Sequence, residues 1–229
     1  MPTKAGGTSE VSVAVQDYAK AIYALEADGR VVSTNALAER LQLRAGSVSG
    51  MLAKLVDLGL VEREHYHGVR LTGRGRAVAL EVIRHHRLLE LFLVESLDMS
   101  WDEVHEEAER LEHVISEELE ELFAAKLGQP TLDPHGDPIP SRELAIAEAE
   151  TVSLESLEPG AGGTFVRVSD VDPEMLRFLS GRGIAPDARF ELIEKQPFDG
   201  PLFVRFGTEE HVLGATLARA MRVRVDSEP

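Results

Sequence analysis

Apolar side chains recur at Val15, Tyr18, Ala19, Ile22 and Leu25, the spacing of one helix face, so the pattern predicts a first helix there. Ser33-Thr34-Asn35 can cap a second, running from Ala36 to Leu41. After a short turn from Gln42 to Gly46, a third turns Val48, Met51, Leu52, Leu55 and Leu58 inward and stops at Gly59. Three short helices with a tight turn between the last two spell helix-turn-helix. Leu60 to Tyr66 and Gly68 to Leu71 then alternate around a His67-Gly68 turn, which predicts a hairpin wing, and Thr72 caps a long helix through Leu97. Ser100-Trp101-Asp102-Glu103 has the form of a capping box. Val104, Ala108, Leu111, Ile115, Leu119 and Leu122 follow at the spacing of one further helix, with Glu106, Glu107, Glu117, Glu118, Glu120 and Glu121 as its solvated acidic face.

Gln129 to Pro140 holds four prolines and a glycine, which no helix or central strand can cross. It reads as a domain boundary, followed by an acidic, loosely ordered stretch to about Leu157. From Gly160 the pattern shortens to alternating segments at Thr164–Val168, Arg189–Glu194, Leu202–Phe206 and Met221–Val225, with a helical turn or two inside Asp170–Gly181. That predicts a small, partly open β-barrel of the SH3-like kind. The fold class is therefore α+β: a winged helix-turn-helix over 11–75, a helical domain over 76–128, a proline-rich linker over 129–158 and the SH3-like domain over 159–229.

A chain of 229 residues with 43% hydrophobic content can bury real cores. It contains no cysteine, so a metal would meet only oxygen and nitrogen, a bias towards harder ions. The N-terminal residues lack a signal-peptide core and no run is long enough to span a bilayer, so a cytoplasmic location without a membrane partner is expected. The net charge of −16 argues against nucleic acid as a partner until its distribution is considered. Between Arg40 and Arg87 nine basic residues face four acidic ones, a local +5 in a chain whose remainder carries −21. A basic block of that kind marks one DNA-facing domain.

His105, Glu109, Glu112 and His113 stand at i, i+4, i+7 and i+8, within one sector of a continuous helix. His86 and Glu90 repeat the i, i+4 spacing on the helix before it. Imidazole and carboxylate donors on neighbouring helices suit a divalent transition metal. A di-metal carboxylate enzyme would place Glu three residues before His, twice. Here Ile83 precedes His86, Arg110 precedes His113, and only Asp102 precedes His105 suitably, so the chain reads as no enzyme. A cytosolic metal-storage protein would explain the ligands but leave the winged helix unused.

The chain resembles the metal-dependent repressors of the diphtheria toxin repressor family, and more closely their manganese-responsive branch, the manganese transport regulators. The residues that carry the resemblance are Asp17-Tyr18, Ala38-Glu39-Arg40-Leu41, Ser47-Val48-Ser49, Arg84 to Glu90, Val104 to Ala108, Leu111-Glu112-His113 and His135 to Pro140. It implies a manganese-activated homodimer that represses by binding palindromic double-stranded promoter DNA of metal-homeostasis genes, with ferrous iron as the alternative ion. It implies a primary site of Asp17, Glu109, Glu112 and His113. An ancillary site would use His86, Glu90 and His105, closed by Asp172 or, in its place, Asp170 or Glu174. The iron-responsive branch has Met and Cys where this chain has Asp17 and Glu109, which favours manganese. One manganese subgroup builds a paired-metal centre with a glutamate where this chain has Lys20, a departure that speaks against such a pair.

For DNA, Ser47, Ser49 and Gly50 open the recognition helix, and Thr34, Arg44 and Lys54 are placed to meet phosphates. Repulsion among Asp17, Glu109 and Glu112 in an empty site is expected to hold the first helix away from the later ones until a cation arrives.

Overall fold

The computed structural model describes residues 11–64, 68–147, 149–170 and 172–226. It divides into two compact units, the first made of residues 1–86, 112–115 and 140–145, the second of 87–111, 116–139 and 146–229.

The first unit contains α1 (Val13–Ala27), α2 (Thr34–Arg40) and α3 (Ala45–Asp57), then a hairpin of β1 (Val61–Glu64) and β2 (Gly68–Leu71). Val15, Tyr18, Ala19, Ile22 and Leu25 of α1 are all buried, as are Val48, Leu52 and Leu55 of α3. The Ser33 hydroxyl accepts the Ala36 N–H at 3.1 Å, which places the second cap where the sequence has it. In the hairpin, Val61 pairs with Leu71 and Glu64 with Gly68; the expected His67-Gly68 turn lies partly outside the described residues. A contact not foreseen ties this wing down, the Leu71 N–H donating to Glu26 Oε1 at 2.8 Å. Thr72 accepts from Gly75 N–H at 3.1 Å and opens α4 (Gly73–Leu97), the helix along which the chain passes into the second unit. Arg74 donates to the Leu58 carbonyl at the end of α3, and Arg76 lies over the Tyr23 ring, 4.8 Å from its centroid.

In the second unit the single helix expected after Ser100 is two: α5 (Val104–Leu111) and α6 (Glu117–Lys126). Ser116 is the physical reason. Its hydroxyl accepts the Leu119 N–H at 3.2 Å and starts a new helix, breaking the apolar register. Leu119, at 39% exposure, and Leu122, at 65%, therefore do not point inward, whereas Glu120, expected on the solvated face, is buried. Nor is Ser100–Glu103 a capping box, since the Ser100 hydroxyl donates to Asp102 rather than to a backbone partner.

The proline-rich segment is no loose linker. Thr131 to Ile139 folds back on itself, with Ile139 N–H donating to Thr131 O at 2.9 Å and Asp133 N–H to Asp137 O at 3.0 Å. Arg87 of α4 donates to Pro138 O at 2.5 Å, and Ile139 packs with Leu88, Leu91 and Ala124. Gly136 sits at φ +87° and a Cβ there would lie 1.9 Å from Val166 O, so the turn can lie against the sheet only with glycine at its tip.

The sheet runs in the order β3 (Val152–Ser153), β8 (Met221–Val225), β4 (Gly162–Val168), β5 (Arg189–Lys195), β6 (Leu202–Phe206), β7 (Glu209–Leu213), with every pair antiparallel. α7 (Pro173–Ser180) and α8 (Ala215–Ala220) complete a core around Phe165, Leu176, Leu192, Val204 and Val223. The four expected strands are present. β3, β7 and α8 are additional, and β3 with the buried Leu154 shows that order begins before Leu157. Among the described residues no helix is long and apolar enough to cross a membrane.

Candidate metal centres and nucleic-acid face

In the first unit, α1 presents Gln16, Asp17 and Lys20 to the turn that follows α5. Asp17, Glu112 and His113 offer ligand atoms within 4.8 Å of one another. His113 Nδ1 donates to Gln16 Oε1 at 2.6 Å. That hydrogen bond fixes the proton on Nδ1 and leaves Nε2 facing Asp17 at 2.9 Å and Glu112 at 3.3 Å, the arrangement by which an outer partner orients a metal-binding imidazole. Gln16 is buried, and only its place one residue before Asp17 could have hinted at this role. Glu112, at 1% exposure, is held by His86 Nδ1 at 2.5 Å and by the ammonium of Lys20, and its carbonyl meets His85 Nδ1 at 3.0 Å. Within this unit the Glu112 carboxylate is compensated by the Lys20 ammonium at 2.7 Å.

In the second unit, Glu90 is fully buried and serves two histidines, one on each carboxylate oxygen. Oε1 lies 3.3 Å from His105 Nδ1, which is also 3.0 Å from Asp170. Oε2 lies 3.7 Å from His135 Nδ1. Asp133 joins the latter pair, with ligand atoms again within 4.8 Å. The acid against His105 is Asp170, the alternative to Asp172, whose own carboxylate caps α7 by accepting Glu174 N–H at 3.0 Å; the proline after it makes that the natural use. Asp133 and His135 were not among the expected ligands. Their signal was the segment read as a linker, where an Asx turn (Asp133 accepting His135 N–H and Asp137 N–H) aims His135 inward.

Carboxylates and burial together set the electrostatics of this cluster. Burial opposes a charge on His105, but hydrogen bonds to Asp170 and Glu90 outweigh it and push its pKa to about 10. His135 behaves alike: burial lowers it, and Glu90, Asp133 and the Trp101 carbonyl raise it to about 9. Asp133 is pushed up to about 8 by burial first and by the Asp137 and Glu90 carboxylates next. The donor set fits a divalent ion: carboxylate oxygens and imidazole nitrogens only, with the buried His135 Nδ1 lacking a hydrogen-bond partner among the described residues while Nε2 is anchored on Trp101 O at 2.7 Å.

Of the remaining expected ligands, His86 lies in the first unit against Glu112, and Glu109 is exposed on α5 in the second. His105 and Glu109 remain on a helix, while Glu112 and His113 occupy the turn beyond it.

On the nucleic-acid face, Arg44 is the N-cap residue of α3, and Ser47, Ser49, Gly50 and Lys54 are all exposed along that helix. Thr34 begins α2 and shares with Ser49, Arg63 and Gly68 a cleft between these helices and the wing. Ser49 Oγ donates back to Ala45 O at 3.0 Å.

Comparison with known proteins gives one picture. Residues 10–69 match the profile of the iron dependent repressor N-terminal DNA binding domain, 72–141 that of the iron dependent repressor metal binding and dimerisation domain, and 152–225 the FeoA domain. The iron-dependent repressor IdeR of Mycobacterium leprae (strain TN) is 33% identical over 219 residues, 90% of this chain and 94% of that protein. A solved manganese-dependent transcriptional repressor in complex with manganese superposes with a TM-score of 0.85 at 40% identity, over 92% of this chain and 99% of the other. The structure of the manganese regulator SloR superposes with a TM-score of 0.76 at 29% identity, over 93% and 98%.

Proposed function

The chain belongs to the iron-dependent (diphtheria toxin) repressor family, a metal-dependent transcriptional repressor, and from that premise we propose that manganese is the ion it senses and that it acts as a homodimer on promoter DNA. The observation that carries this reading is the convergence of Asp17, Glu112 and His113, oxygen and nitrogen donors in a chain that has no cysteine. Hard oxygen donors with one imidazole favour manganese over softer competitors. The likeness to repressors named for manganese points the same way.

In the first centre Asp17, Glu112 and His113 would hold the ion, and a second would be held by Glu90, His105 and Asp170 with His135 and Asp133 beside them. A bound divalent ion supplies fixed positive charge at each cluster. Everything else is done by the chain. Asp17 belongs to the helix that packs under the helix-turn-helix, so its ligation fixes α1, and with it α3, against the Glu112–Ile115 turn. α3 then presents Ser47, Ser49 and Gly50 to a major groove, with Arg44, Lys54 and Thr34 on phosphates. Metal and DNA thereby favour one conformer, and each raises the affinity for the other by the same factor.

Ferrous iron is the second reading, favoured by the names of the related iron-dependent repressors. Titration of chelator-treated protein with manganese, ferrous iron, cobalt and zinc against labelled promoter DNA at fixed salt separates them. Manganese is expected to raise operator affinity at least about tenfold, within the usual 1–3 kcal/mol of allosteric coupling. Equal operator affinity with and without metal would refute the switch.

A further inference from the structure

Asp17 and Lys20 lie one helical turn apart on α1, facing the same partner. Lys20 Nζ lies 2.7 and 3.0 Å from the two oxygens of Glu112 and 3.3 Å from His86 Nδ1. The two carboxylate oxygens are donors a divalent cation would take, and here an ammonium has them. The carboxylate it holds is the most enclosed acid of the first cluster, whereas Lys20 retains 23% exposure along a flexible stem that can swing into solvent.

We infer that Lys20 is a tethered competitor for the first metal centre: its ammonium occupies Glu112 in the metal-free chain and must leave before a divalent ion is held there, so Lys20 sets the metal concentration at which the protein responds. This rests on the reading of Asp17, Glu112 and His113 as metal ligands. The competitor is intramolecular, so it cannot be diluted away, and its local concentration is fixed by the fold. Its displacement is common to every ion. Lys20 therefore shifts the threshold for all divalent metals together and leaves their ranking to Asp17, Glu112 and His113. In the metal-free chain the same contact fastens α1 to the turn after α5, so removing it loosens the empty site while making it easier to fill.

The test compares the full-length parent with Lys20→Met, which keeps the stem and deletes the charge, and Lys20→Arg, which keeps the charge. Manganese and cobalt affinities are measured with a competing chelator, and thermal midpoints with the metal-free proteins. Lys20→Met is expected to bind both ions about tenfold more tightly or better, by factors agreeing within about threefold, and to melt lower than the parent without metal; Lys20→Arg should stay near the parent in affinity. Should Lys20→Met fail to fold, Lys20→Gln takes its place with the same expectations. Binding by the neutral variant within twofold of the parent, or weaker than it, overturns the competitor role, as does a gain confined to one ion or shared by Lys20→Arg. If neither parent nor variant binds manganese or cobalt, the proposed function itself fails and this inference falls with it; a parent that binds beside an unchanged variant removes the inference alone.

Discussion

Replacing Gly136 by alanine should destabilise the second unit far more than a left-handed glycine alone would explain. Gly136 is at φ +87°, and its new Cβ would stand 1.9 Å from Val166 O and 2.9 Å from the Val166 carbonyl carbon. Ordinary van der Waals contact begins near 3.4 Å, so turn and strand must part by well over 1 Å. Backbone on both sides leaves no flexible side chain to yield. The separation breaks the bond from Val168 N–H to His135 O, now 3.1 Å, and strains the Asp133–Asp137 turn. The left-handed conformation costs about 1–2 kcal/mol for an L-residue, and one or two buried hydrogen bonds lost with their groups unpaired add about 1–3 kcal/mol each. The total is about 2–8 kcal/mol, or roughly 4–32 °C in the melting midpoint at about 2–4 °C per kcal/mol for a chain of this size. Gly128→Ala is the control, because Gly128 is also left-handed at φ +75° but has nothing within 4 Å of its would-be Cβ. Scanning calorimetry of both metal-free variants should show Gly136→Ala melting lower, and manganese binding at the Glu90 cluster should weaken with it, since His135 is the preceding residue. Midpoints within about 2 °C of each other would refute the close-approach argument.

The raised pKa values of His105, about 10, and His135, about 9, give a pH dependence of definite sign. A histidine raised in the folded state stabilises fully below its free value of 6.5 and loses that contribution as pH rises through the folded value, so the metal-free protein should melt progressively lower between pH 7 and 10. Since neutral imidazoles are what a metal needs, affinity at this cluster should rise over the same range with protons released on binding; a flat profile in a chelator-controlled titration would contradict it. Asp170→Ala should weaken metal binding there at least tenfold, whereas Asp172→Ala should cost about 1 kcal/mol of stability through its lost cap and leave metal affinity alone; the reverse pattern would restore Asp172 as the closing acid. Lys54→Ala should weaken binding to all DNA sequences and flatten the salt slope by about one unit, measured by anisotropy from low to moderate salt.

The parts of this structure legible in the sequence are those governed by local pattern. The apolar face of α1, the Ser33 cap, the Gly59 stop and the alternating strands of the C-terminal sheet depend on neighbours a few residues away, and each appears where expected. The candidate ligands were legible from their spacing: Asp17, Glu112 and His113 converge, and Glu90 meets His105 with Asp170 beside it. Spacing assumed one helix from Val104 to Leu122, whereas Ser116 caps a second helix and Glu112 and His113 stand in the turn before it, against α1. Long-range partners were beyond pattern altogether. Gln16 on His113, Lys20 on Glu112, and Asp133 and His135 beside Glu90 bring together positions dozens of residues apart, and proline content disguised the last pair as a linker.

Trp101 is the only tryptophan in the chain. Its carbonyl receives His135 Nε2, its ring stacks on that imidazole with centroids 5.6 Å apart at 22°, and its far side packs against the core of the C-terminal sheet. The consequence is optical. An indole in face contact with a charged imidazole is quenched, and one beside a neutral imidazole much less so. Emission from this one fluorophore therefore reports the charge of His135 directly, without a label and without a second tryptophan to dilute the signal. Loss of the proton at high pH should brighten it along the titration curve of that histidine, and separation of the Asp133–Asp137 turn from the sheet should shift the emission to the red as the ring meets water.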